Sequence, residues 1–352
     1  MAIDLPLHIN DASVGPLSSP NLREKSKMSA TSTSDNIALL KRLEPAQFYE
    51  QFLSEGCYPD GRDIAKHRPT VIYYGGVTGG HQSSAYVQQA GAHVSCAVQL
   101  SLAPDSDDAL FRWELQAMDS VPKDLVCHAQ AHLDNIFATN LLVDSQSMKV
   151  TATSSATGKQ FELRWGIQLE IMVLSTDGFL LDAVLTAVQA ALLDVQVPTR
   201  VEYADGNVVG GVFVEGEQDD FLLGEEVYFL KFPVPLQFDI EKLHVVTSEE
   251  HDNHRSMELL QYLVYVPFLL YRSNECKDED ECILLCDPSA DLCALVSDRC
   301  ELIIGTEGHI HSLSFCVSSG AMEQSLLDEM LVLAKRRFTA VTNSLRNCAR
   351  KE

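Results

Sequence analysis

The chain has 352 residues, 46% of them hydrophobic, enough to bury one large core or two ordinary ones. Its formal charge of −24 argues against a broad basic face for nucleic acid, so any RNA or DNA contact is expected from a local patch or from partner subunits. Ten irregularly spaced cysteines and no charged-then-apolar leader lead to the expectation of reduced thiols in a cytosolic or nuclear protein, and no apolar run is long enough to span a membrane.

Residues 1–42, rich in Ser, Pro and small polar side chains without sustained periodicity, read as a disordered tail. "LEPAQFYEQFL" then sets Pro45 near a first helical turn and Phe48, Phe52 and Leu53 at helical spacing. "YPDGRD", residues 58–63, is turn chemistry that ends this helix. Three short β-branched or alternating runs between residues 70 and 103, separated by glycine pairs, predict antiparallel strands joined by hairpins. Over residues 123–143, Leu125, Ala129, Leu133, Ile136, Phe137 and Leu141 recur at three- and four-residue steps, the mark of an amphipathic helix.

The alternation of Ile167, Leu169, Ile171 and Val173 predicts a strand with one buried face. A hairpin turn is expected at Thr176-Asp177-Gly178, with Asp182 capping an Ala- and Leu-rich helix enclosed by protein and ending before Pro198. The region from 201 to about 280 is acidic. Its apolar run Leu259–Tyr271 has no decisive pattern, and an acidic insertion is expected over roughly 242–278. Strands return around "CILLCDP" and "CELIIGTEGHIHSLSFCV", with "GTEGH" as a tight turn. A final helix carries the stripe Leu327, Met330, Ala334, Phe338, Val341 and Leu345. The fold class is α+β, with strands followed by helix, twice over.

The blocks "LEPAQFYEQFLSEGCYPDGRD", "SSAYVQQAGAHVSCAV", "WGIQLEIMVLSTDGFLLDAVLTAVQAAL", "FPVPLQFD" and "LLCDPSA…CELIIGTEGHIHSLS" occur in an order that resembles the RNase PH-like subunits of the RNA exosome. The resemblance covers most of residues 43–200 and 280–340. It implies an RNase PH-like fold of two similar βαβα halves with helices packed on mixed sheets, over 43–352. It also implies a hetero-hexameric ring of RNase PH-like subunits, cap proteins on one face, an associated nuclease, and RNA in the central channel. A nuclear (including nucleolar) and cytoplasmic location goes with that reading. In related subunits the turn begins Arg-Pro-Asp-Gly-Arg; here Tyr58 replaces the first arginine and Arg62 keeps the second.

A phosphorolytic nuclease needs converging cationic or N–H donors for phosphate. Active relatives carry an arginine-rich stretch ahead of the helix over 123–143, whereas here "LQAMDSVPKDLVCHAQAHLDN" offers only Lys123. Ser155, Gly158 and Lys159 do not follow the order of a phosphate loop and read as a solvated hairpin turn, with Asp177 and Asp182 assigned to a turn and a cap. The expectation is no catalytic residue, no metal and no cofactor: a non-catalytic scaffold, with a divergent phosphate-dependent 3'-to-5' exoribonuclease and a freestanding binding module as the alternatives. Lys123 and Arg62 are the candidate RNA contacts, and Tyr58 and Arg62 the candidate subunit-interface residues. Arg62 is placed as a brace of the turn or of a subunit contact ahead of an RNA ligand. Lys335-Arg336-Arg337 reads as a solvated helix face. The cysteines at 276, 282, 286, 293 and 300 lack paired knuckles. His309 with His311, and His244, His251 and His254, read as ordinary side chains rather than ligands.

Overall fold

The computed structural model describes residues 37–75, 82–104, 109–154, 160–199, 201–203, 243–245, 254–272, 282–318 and 324–349. The chain divides into two units, residues 1–55 and 56–352. In the first, residues 37–43 form a helix (α1) that falls partly inside the expected tail, and Pro45–Leu53 form α2. Pro45 stands in the first turn of α2, where its missing N–H has no partner to lose, and Phe48 meets Phe52 edge-on at 5.2 Å. Most of the expected tail lies outside the described residues.

The second unit opens with strands β1 (Val71–Tyr74), β2 (Ser83–Gln89), β3 (Ala92–Pro104) and β4 (Phe111–Ala117). Helix α3 (Lys123–Ala138), β5 (Lys149–Ser154), β6 (Gln160–Ser175) and α4 (Leu181–Leu193) come next. The short strands are β7 (Gln196–Pro198), β8 (Val201–Tyr203), β9 (Leu243–Val245) and β10 (His254–Ser256). After them come β11 (Leu263–Arg272), β12 (Cys282–Cys286), α5 (Ala290–Leu295), β13 (Arg299–Gly305), β14 (Ile310–Cys316) and α6 (Gln324–Ala349).

The large sheet runs β1-β2-β3-β6-β5-β8-β9, with β4 added parallel to β6. The smaller one runs β12-β11-β13-β14, all antiparallel. The alternation expected in β6 holds: Leu163, Trp165, Ile167, Leu169, Ile171 and Val173 are all buried, with Glu170 exposed between them and Leu174 exposed just after. Helix α3 buries Ala129, Leu133, Ile136 and Phe137, the stripe that its spacing requires.

Helix α4 is buried along nearly its whole length and lies against β2 and β3 of one sheet and β11 of the other, which makes it the keystone of the core. Gln189 is its polar tie. Its amide donates to the Leu263 carbonyl at 2.6 Å and accepts from the Leu263 N–H at 2.8 Å, so a buried side chain closes the end of β11.

Three expectations need correction. Residues 263–272, inside the stretch read as an acidic insertion, form a central strand of the smaller sheet, with eight consecutive buried positions, Leu263 to Leu270. Thr176-Asp177-Gly178 joins a strand to a helix and is not a hairpin turn. Asp182 lies within the first turn of α4 and caps nothing; its carboxylate is buried against Arg337. Among the described residues, no helix is long and apolar enough to cross a membrane.

Candidate functional site

The turn at residues 58–63 closes on itself. The Tyr58 N–H donates to the Arg62 carbonyl at 2.7 Å, the Gly61 N–H to the Tyr58 carbonyl at 2.8 Å, and Gly61 takes φ +80°. Cys57 and Asp63 pair across its base. The Arg62 guanidinium lies 4.3 Å from the Tyr58 ring centre and donates to the carbonyls of Lys66 and Asp287, the latter at 2.8 Å. Tyr58 is buried and donates to the Cys286 carbonyl at 2.7 Å. Burial pushes its phenol well above the ordinary value, only partly offset by Arg62, so it stays a neutral donor.

Asp287 is the hub of the surrounding charges. It is buried, sits at φ +50°, and accepts from the Arg68 backbone N–H at 2.6 Å. The Arg68 side chain grips the same carboxylate through Nε at 2.9 Å and a terminal nitrogen at 2.8 Å. Its other terminal nitrogen reaches Asp177 at 2.7 Å, and Asp177 in turn accepts from the N–H of Ala290, the first residue of α5, at 2.9 Å. Behind them Arg337 donates to Asp182 at 2.7 Å, with both side chains no more than 5% exposed. Three arginines thus meet three aspartates, and each positive charge is matched internally.

Of the residues singled out from sequence, Tyr58 and Arg62 come together in this cluster, with the Arg62 side chain 13% exposed and turned inward. Arg62 therefore braces the corner through the Lys66 and Asp287 carbonyls. Lys123 is an exposed first residue of α3, on a separate element. Residues 155–159, with Ser155, Gly158 and Lys159, lie outside the described residues, as do His251 and Cys276. Arg337 corrects the reading of Lys335-Arg336-Arg337 as solvated, since only the first two are exposed. His309 sits in the exposed turn before β14 and His311 in that strand. Cys282, Cys286, Cys293 and Cys300 are free thiols, and burial pushes Cys286, Cys293 and Cys300 up to about 12, so they stay protonated at neutral pH.

Sequence reasoning missed Arg68 and Asp287 as partners, because Arg68 reaches across 109 residues to Asp177 and 219 to Asp287 and no local spacing encodes such a pair. It also missed His128, His132 and Glu301, the group among the described residues whose ligand atoms lie within metal-binding reach of one another. The i, i+4 spacing of the two histidines on α3 was the available signal. A separate cleft of about 580 Å³, lined by Lys149, Glu162, Trp165 and Arg255 among others, mixes both charges, and its Arg255 guanidinium donates to the Ser147 carbonyl.

Residues 66–198 match the model of the 3' exoribonuclease family, domain 1 (RNase PH). Among solved structures, an archaeal exosome core superposes with a TM-score of 0.55 at 16% identity, covering 90% of this chain and 99% of that one. The exosome of Archaeoglobus fulgidus with RNA bound to the active site gives 0.51, also at 16% identity, covering 83% of this chain and 96% of that one. Residues 66–198 thus resemble an RNase PH domain, and the chain has an RNase PH-like fold like that of the exosome core structures.

Proposed function

We propose that this chain is a non-catalytic subunit of an RNA exosome core ring, supporting 3'-to-5' RNA processing and degradation, including that of ribosomal RNA, by scaffolding the ring and lining part of the RNA path. The observation that carries the reading is strand β14. Among the described residues it is an edge of the smaller sheet, it is exposed along nearly its whole length, and it presents Ile310, Leu313 and Phe315 at 46%, 40% and 44% exposure. An apolar edge of this kind is a liability in a lone chain and a pairing surface in a ring. The matched arginine–aspartate cluster supports the non-catalytic part, because its cations are engaged with aspartates rather than free for phosphate.

Within such a ring the N-terminal block most resembles the subunit called ribosomal RNA-processing protein forty-three. Neighbouring RNase PH-like subunits, cap proteins, an associated nuclease, RNA in the channel, and a nuclear and cytoplasmic location belong to the same proposal. The test is gentle purification of the tagged chain from its own cells, with native mass and partner identification. A large particle containing several RNase PH-like chains and cap proteins is expected. Recovery as a monomer or homo-oligomer, or phosphate-dependent release of nucleoside diphosphates from RNA by the purified chain, would overturn the proposal in favour of a freestanding module or an exoribonuclease.

A further inference from the structure

We propose that His128, His132 and Glu301 form a binding site for a divalent transition-metal ion of the zinc class, clipping helix α3 to strand β13. The helix places the two imidazoles one turn apart on one face, with ring centres 4.7 Å apart. Chain folding then brings Glu301, 173 residues further on, against them: His128 Nε2 lies 2.8 Å from Glu301 Oε2. One ligand atom from each of the three residues falls within 4.8 Å of the others. Metal–ligand bonds of about 2.0–2.2 Å in a tetrahedron require ligand atoms roughly 3.3–3.5 Å apart. The short pair therefore opens slightly and the longer separations close, a matter of side-chain rotation.

The surroundings are those of a prepared site. Glu301 is 7% exposed, and its other oxygen is held by Arg299 Nε at 3.0 Å, which orients the carboxylate and leaves Oε2 directed at the histidines. The sheet register pairs Tyr265 with Ile303 and Pro267 with Glu301, so Tyr265 and Glu301 are diagonal neighbours on one face. The Tyr265 ring lies 6.3 Å from both imidazoles, and the residue is 1% exposed. Its buried hydroxyl lies beside the Glu301 carboxylate, which acts on it. A water in the fourth coordination position would give that hydroxyl a further partner.

Two imidazoles with one carboxylate suit zinc and its neighbours and not magnesium or calcium, which take oxygen ligands. The inference does not depend on membership of a ring. It concerns three side chains that the scaffold reading leaves unused.

The test uses the full chain, stripped with chelator and titrated with zinc chloride and, separately, cobalt(II) chloride. The expected result is one tight equivalent and a raised melting temperature, since the ion binds the folded chain and not the unfolded one. Cobalt should give the visible bands of a tetrahedral nitrogen–oxygen site without the near-ultraviolet thiolate band that cysteine ligation would produce. His132→Gln should weaken zinc at least tenfold and abolish those bands, and Glu301→Gln should do the same, with the circular-dichroism spectrum of each apo variant reporting on its fold. No binding by the wild-type chain, a thiolate band, or undiminished binding in a folded His132→Gln variant would overturn the site. Where a variant fails to fold, the wild-type cobalt spectrum still overturns the site if it lacks the tetrahedral bands or carries a thiolate band. Magnesium chloride at the same concentration should leave the melting temperature unmoved, and a shift equal to that of zinc would also overturn it.

Discussion

Arg337 and Asp182 meet at 2.7 Å with almost no solvent on either side, and the two halves of such a pair are not worth the same when removed singly and together. Arg337→Met leaves a carboxylate stranded in the core beneath α6, and we expect it to cost about 3–5 kcal/mol in urea denaturation. The double variant Asp182→Leu with Arg337→Met should recover most of that loss, because the uncompensated charge goes with its partner. A single-variant loss below about 1 kcal/mol would mean that water or a neighbour already screens the pair. His67 lies in the same field. Burial, then the charges of Arg337 and Arg62, lower its imidazole from the ordinary 6.5 to about 3. Above pH 6.5 both folded and unfolded chains hold it neutral and it contributes no slope. Between 6.5 and about 3 the unfolded chain binds a proton that the folded one refuses, so stability falls as pH falls. Melting temperatures should therefore drop from pH 6.5 to 4.5, above the main carboxylate range, and His67→Gln should flatten that decline. An unchanged slope would place the protonation at another histidine.

At the scale of elements, the β6-to-α4 junction depends on a backbone conformation that only glycine accepts. Gly178 sits at φ +112°, and a Cβ built there would stand 2.4 Å from the Pro288 carbonyl oxygen. Gly61 sits at φ +80° with nothing within 4 Å. Gly61→Ala should thus cost only the conformational strain, roughly 1–2 kcal/mol, and Gly178→Ala clearly more, because the loop carrying Asp287 and Pro288 must move as well. Equal losses in chemical denaturation would show that the loop yields freely. The two junctions were unequally legible in the sequence. Strand β6 and helices α3 and α6 declare themselves by period, because each buries a single face. Strand β11 does not: it is buried on both faces, so its apolar run is continuous, and Pro267 at its centre argues against the interior position that it occupies, paired with Glu301 of β13. The Gly and Asp of a turn mark where the chain bends but not which element the bend leads into, which is why Thr176-Asp177-Gly178 was expected to return a strand. The charge cluster was illegible for a different reason. Arg68, Asp177, Asp287 and Arg337 become neighbours only when both sheets close on α4, and Arg337 looked solvated because two exposed cations precede it.

For the molecule as a whole, the proposed assembly would rest on surfaces that the described residues leave uncovered. The two that stand out are β14 and, at the edge of the large sheet, β1, where Tyr73 and Val71 are 56% and 37% exposed. Lysine on an edge strand opposes pairing, because its charge would have to be desolvated against the incoming chain. Leu313 and Phe315 lie two apart on β14 and so share a face. Both are exposed, so changing both to lysine should alter the stability of the isolated chain by no more than about 0.5 kcal/mol per site. In the assembled particle the same change should eject the subunit, which would appear as a loss of co-purifying RNase PH-like chains and a fall in native mass. Retention of the full particle by a folded Leu313→Lys, Phe315→Lys variant would move the contact away from β14. Tyr73→Lys on β1 then becomes the variant to examine, and loss of the particle there alone would assign pairing to the edge of the large sheet.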